Sequence, residues 1–112
     1  MDEDQTRKDR IVALSPEAIL DYAENHDHTA RVWGWVQADR YSDMLDSEME
    51  ALARGESRGR PVEDDPTLLA LFVKWHRAKY GHWIIYQSVP EGIYVLRILH
   101  SSMDLPQLID RP

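Results

Sequence analysis

The apolar positions of this chain begin as a short run, pass into helical spacing and end as strand-like runs. Arg10 to Leu14 is a short apolar run and reads as a strand. Ser15-Pro16-Glu17 then makes a helix start. Ser caps the free N–H groups, Pro is tolerated in the first turn, and Glu suits the positive end of the helix dipole. Ile19, Tyr22, Ala23 and His26 follow at helical spacing, and the polar stretch Asn25 to Thr29 is read as the end of that helix. A second helix is expected from about Ala30 to Arg54, with Gly34, Ala38, Tyr41, Leu45 and Leu52 on one stripe. Met44 and Met49 edge this stripe and Glu48 interrupts it. Arg54-Gly55 supplies a cation in the last turn and a residue able to go left-handed, a good stop signal.

Gly55 to Thr67 has no periodicity and holds two Gly, two Pro and four acids, so it reads as a loop. Leu68 to Ala78 is a strand candidate, Tyr80-Gly81 a turn, and His82 to Val89 a further strand. Pro90-Glu91-Gly92 has hairpin chemistry and leads into a last strand, Gly92 to His100. Residues 101–112 read as a tail with one helical turn at Asp104 to Asp110, and residues 1–9 as a polar, flexible lead-in. Residues 10–110 are expected to form a single domain. A strand, a helical hairpin and a three-stranded antiparallel meander imply an α+β fold, with the helices on one face of a mostly antiparallel sheet. The other face is expected to be open. Matched periodicities predict that Tyr41, Leu45 and Leu52 bury against Ile85, Leu96 and Ile98.

Composition narrows the class. At 112 residues with 43% apolar content and four Trp, the chain can bury a modest core. It has no Cys, which removes disulfides, thiolate chemistry and zinc–cysteine sites and fits a reducing cytoplasm. No apolar run is long enough to span a membrane. The net charge of −7 is uneven. Glu17 to Arg54 holds nine acids against three bases, whereas Pro66 to His100 holds four bases against one acid. Overall acidity argues against non-specific nucleic-acid binding. The basic half is either an ordinary solvated face or a surface that meets something anionic.

Several residues are candidates for chemistry or contact. Arg97 lies inside an apolar strand, where a charge is costly unless a carboxylate or a partner answers it. Strict alternation puts His100 on the opposite face from Arg97. Lys74, Arg77 and Lys79 cluster with His76 near the Tyr80-Gly81 turn, as a solvated tip or an electrostatic handle. Val32 and Val36 point away from the core stripe, and Trp33 and Trp35 project to opposite sides of their helix, so at most one of the two can enter the core. These four are candidate partner anchors. His26-x-His28 and the His76/His82 pair lack a completing Cys or carboxylate, so no metal site is expected. No glycine-rich phosphate loop or nucleophile elbow occurs, and no cofactor is implied.

The motifs Ile84-Ile85-Tyr86, Glu91-Gly92, Ile93, Arg97-Ile98-Leu99-His100 and Asp104-Leu105-Pro106 resemble the C-terminal half of the ParE/RelE superfamily of toxin–antitoxin toxins. Leu14-Ser15-Pro16-Glu17-Ala18 resembles the family's first strand-to-helix junction, and Arg58-Gly59-Arg60-Pro61-Val62 its loop after the helical hairpin. The matches cover roughly residues 10 to 110, in order, and lie on the ParE side. The resemblance implies a binding toxin of a type II system that inhibits DNA gyrase and is neutralised by a ParD-like antitoxin. It leaves open whether the toxin is a homodimer or part of a toxin–antitoxin hetero-oligomer. Lys74, Arg77, Lys79, Arg97 and His100 are then the target-contact candidates, and Val32, Trp33, Trp35 and Val36 the antitoxin-contact candidates. The alternatives are a RelE-like ribosome-dependent mRNA endonuclease and an inactive member kept as an antitoxin-binding module. RNA cleavage would need several bases and an acid or Tyr near the tail. No Tyr follows His100, and Met103 stands where the family often has a base.

Overall fold

The computed structural model describes residues 10–75 and 78–101. The expected lead-in, His76, Arg77, Met103 and the turn at Asp104 to Asp110 lie outside the described residues. The chain runs β1 (Ile11–Leu14), α1 (Pro16–Trp33), α2 (Trp35–Ala53), β2 (Arg60–Pro61), β3 (Leu69–Val73), β4 (His82–Val89) and β5 (Gly92–His100). One five-stranded sheet has the order β1-β5-β4-β3-β2. β1 runs parallel to β5, reached through the helical hairpin, and every other pairing is antiparallel. The α+β architecture follows the expectation, with β2 as an added edge strand inside the segment read as a loop.

Ser15 caps α1 as its sequence suggests: its hydroxyl accepts from the Ala18 N–H at 3.0 Å. The end of α1 is a correction. Asn25 to Thr29 stays helical, and the break comes at Gly34, at φ 90°, not in the polar stretch. Polar residues at exposed or half-buried helix positions cost little, whereas a left-handed backbone favours Gly. Gly34 therefore separates two helices instead of lying in the stripe of one. The expected face of α1 is corrected as well. Ile19 and Ala23 are exposed, and the inward face carries Ala18, Asp21, Tyr22, Asn25 and His26.

The core between helices and sheet joins Tyr41, Leu45, Met49 and Leu52 of α2 to Leu69, Val73, Ile84, Tyr86, Ile93, Val95 and Ile98. Two of the three predicted strand partners change. Ile85 belongs to a second cluster, with Val62, Ala70 and Leu99 on the opposite face, and Leu96 is only half-buried. The cause is a bulge: Ile85 pairs with Arg97 but Tyr86 pairs with Val95, leaving Leu96 as the extra residue. The bulge resets the alternation, so Ile93 and Val95 before it and Ile98 after it all face the helices. The outer face is not fully open either. Val62 and Leu68, at the ends of a loop closed by the Val62 N–H to Leu68 carbonyl bond of 2.9 Å, pack over Ile85 and Leu99.

Gly92 starts β5 at φ 153°, where a Cβ would run into the backbone of Ile11. This close approach lets β1 pair in register, Ile11 beside Gly92.

Candidate functional site

β1 ends at Leu14, opposite Val95, yet β5 continues to His100. Beyond Val95 the edge of β5 must find other hydrogen-bond partners. The first turns of α1 supply them. The Ser15 N–H donates to the Val95 carbonyl at 2.8 Å, and the Ser15 hydroxyl donates to the Leu96 carbonyl at 2.8 Å. Asp21 completes the set, accepting from the Ile98 N–H at 2.9 Å and from Arg97 Nε and Nη2 at 2.7 and 3.0 Å. The Asp21 side chain is 13% exposed and that of Arg97 34%. The hydrogen bonds to Asp21 raise the Arg97 pKa above its ordinary value, against the opposing effect of burial. The Nε/Nη2 edge of the guanidinium is thus engaged with a carboxylate of the same chain.

At the far end of the sheet, Val73, His82 and His100 lie side by side in register. His82 is 6% exposed, and its Nδ1 shares a 2.7 Å hydrogen bond with the Tyr41 hydroxyl. Burial, then the nearby His100, push the His82 pKa down to about 4, so the ring is neutral at pH 7. Burial also pushes the Tyr41 hydroxyl up to about 12. The His100 ring packs edge-on to His82 at 5.2 Å and beside Tyr80 at 5.5 Å. Lys79 lies over the Tyr80 ring at 5.3 Å, and Lys74 Nζ donates to the Ala78 carbonyl at 3.0 Å. Among the described residues no group of three or more His, Asp or Glu side chains is arranged to hold a metal ion.

The helical hairpin presents a third surface. At its tip Val32, Trp33, Trp35 and Val36 are 54%, 71%, 64% and 66% exposed. Neither Trp enters the core. Nearer the sheet edge, a 730 Å³ cleft opens between β1, α1 and α2, lined by apolar Val12, Leu14, Ile19 and Met49 and by the charged Arg10, Asp46, Glu50 and Arg54. The Tyr22 hydroxyl, bonded to Asp46 at 2.8 Å, ties the two helices across it. Burial and then Asp46 raise the Tyr22 pKa to about 12. Among the described residues no helix is long and apolar enough to cross a membrane.

The profile of the ParE toxin of type II toxin–antitoxin systems, parDE, matches residues 12–105. The chain belongs to the ParE toxin family. It is 26% identical over 91 residues to Toxin ParE1 of Caulobacter vibrioides, covering 81% of this chain and 88% of that one. Its fold is similar to a chain of the chromosomal ParDE system from P. aeruginosa, with a TM-score of 0.62 and 19% identity, covering 81% of this chain and 95% of the other.

On this ParE-family fold the target-contact candidates divide. Lys74, Lys79 and His100 gather at one end of the sheet, whereas Arg97 turns to α1 and Arg77 lies outside the described residues. The antitoxin-contact candidates do converge, on either side of Gly34. Asp21 and His82 are the residues that sequence reading left without a role. Asp21 carried one usable signal: it sits a turn beyond the buried Ala18, an acid on the inward face of a helix.

Proposed function

We propose that this ParE-family toxin acts by binding, with DNA gyrase in the cytoplasm as its target and a ParD-like antitoxin as its inhibitor. The observation that carries the non-nucleolytic reading is the Asp21–Arg97 pair. An RNA-cleaving site needs an arginine aimed at the scissile phosphate, and here the Nε/Nη2 edge of Arg97 is turned to Asp21 of α1. His82 is neutral, buried and bonded to Tyr41. Both residues serve the fold.

Antitoxin binding is supported by apolar surface of two kinds. The hairpin tip offers two exposed Trp and two exposed Val, and β1, an edge strand among the described residues, offers an apolar cleft beside it. An amphipathic helix suits the first and an added strand the second. Contact with the target is assigned to the sheet end with Lys74, Lys79 and His100. The test is a supercoiling assay with purified gyrase, run beside a ribosome-dependent mRNA cleavage assay. Loss of supercoiling that a co-purified antitoxin reverses supports the proposal. Cleaved mRNA with unaffected supercoiling overturns it in favour of the endonuclease.

A further inference from the structure

A small cavity of 120 Å³ lies where the end of α2, the end of β4 and the start of β5 meet, and two arginines, Arg10 and Arg58, line it. Neither makes a hydrogen bond or ion pair among the described residues; the ion pairs of the structure lie elsewhere. Two guanidinium groups with no carboxylate partner among the described residues line one cavity, in a chain of net charge −7 where carboxylates outnumber cations; Arg10 also borders the 730 Å³ cleft. No carboxylate lines the cavity among the described residues.

The other polar groups there are donors as well. The Tyr86 hydroxyl, in a side chain 2% exposed, accepts from the Gly59 N–H at 2.8 Å. That bond uses an oxygen lone pair and leaves the phenolic proton without an acceptor among the described residues. Ser57 and Ser88 add two hydroxyls. The negative end of α2 does not oppose an anion here, because its last carbonyls are already used. The Leu52 carbonyl accepts from the Gly55 N–H, and the Ala51 carbonyl from those of Glu56 and Ser57. Gly92 forms part of the wall, and a Cβ there would meet the backbone of Ile11.

We propose that this cavity binds a single small oxyanion, with dianionic phosphate the best match to two guanidinium charges and three hydroxyls. The site lies at the opposite end of β4 and β5 from His82 and His100, and it stands independently of the gyrase reading. Its volume of 120 Å³ admits one phosphoryl group.

The experiment uses the full chain and inorganic phosphate as probe, with chloride at equal ionic strength as control. Saturating phosphate is expected to raise Tm by about 4 °C or more, with a saturable profile. Arg10→Gln and Arg58→Gln, both at exposed positions, are expected to keep the chloride Tm and to lose most of the phosphate response. Glycerol phosphate is a second arm: a response equal to that of free phosphate identifies a phosphomonoester source, and a weaker one the free ion. No phosphate response in the wild-type chain, or a response unchanged in the Arg10→Gln/Arg58→Gln double variant, would overturn the proposal.

Discussion

Asp21 replaces a missing strand: its carboxylate takes the Ile98 N–H and the Arg97 guanidinium at the point where β1 no longer covers the edge of β5. One side chain thus ties α1 to β5 just beyond the bulge at Leu96 and answers the charge that stands in the last strand. Asp21→Ala leaves a partly buried N–H and a guanidinium without an acceptor. The expected loss is about 2–4 kcal/mol, since hydrogen bonds to charged groups contribute about 1.5–3 kcal/mol each and do not add fully. Denaturant melts of Asp21→Ala, Arg97→Ala and the double variant test this. The pair should show a coupling of about 1 kcal/mol or more, and strict additivity would refute the clamp.

The buried His82 makes stability depend on pH. Its folded pKa, about 4, lies below the ordinary value of 6.5, so the folded chain resists protonation where the unfolded chain accepts it. Stability from this group is full above pH 6.5 and falls as pH drops from 6.5 to 4. The full loss is about 3 kcal/mol, at roughly 1.4 kcal/mol per pH unit over the interval. His82→Asn should be less stable at pH 7, through loss of packing and of the Tyr41 bond, but flatter between pH 6.5 and 4. Equal slopes for the two proteins would remove His82 as the source.

The core prediction separates positions that the alternation rule treats alike. Leu45 is fully buried in the helix–sheet core, and Leu45→Ala should cost about 2–5 kcal/mol. Leu96, displaced by the bulge and half-buried, should cost less than about 1.5 kcal/mol on the same truncation. Equilibrium unfolding of both variants checks the difference. Comparable losses would mean that Leu96 packs as a core residue.

These contrasts mark where the sequence was readable. The strands from His82 to Val89 and from Gly92 to His100 were legible because β-branched and aromatic runs bracket Pro90-Glu91-Gly92. The α2 stripe was legible at Tyr41, Leu45 and Leu52 because that helix packs squarely on apolar side chains. The α1 face was misread because it packs partly on strand backbone, which asks for Ser15 and Asp21 instead of Ile19. The bulge was invisible because Val95-Leu96-Arg97-Ile98 has no local mark of an extra residue. Arg97 stood out as a charge in a strand, but its partner lies 76 positions away. Only the tertiary fold brings the two together.

The hairpin tip should behave as surface in stability and as interface in binding. Trp33 and Trp35 are 71% and 64% exposed, so Trp33→Ser/Trp35→Ser should change folding free energy by no more than about 1 kcal/mol. If the antitoxin covers the tip, each aromatic anchor contributes about 2 kcal/mol, so either single variant should bind about 30-fold more weakly and the double variant several hundred-fold. Calorimetric titration against a ParD-like antitoxin measures it. Unchanged affinity would move the antitoxin to the cleft along β1.

Toxicity of the clamp variants distinguishes a structural arginine from a contacting one. Arg97→Ala and Asp21→Ala remove opposite halves of one ion pair. If Arg97 serves only the fold, both variants should lose toxicity together, in step with the fraction folded at the growth temperature. If Arg97 also touches the target, Asp21→Ala frees its guanidinium, and the two variants should part. Asp21→Ala would then retain activity per folded molecule while Arg97→Ala would not. The geometry favours the first outcome, because both oxygens of Asp21 already meet the guanidinium. Growth arrest on induced expression, normalised to soluble folded protein, is the measurement. A gyrase supercoiling assay on the purified variants repeats it without the antitoxin. Parallel loss in both assays would place Arg97 among the residues that hold the sheet, and target contact would then fall to Lys74, Lys79 and His100.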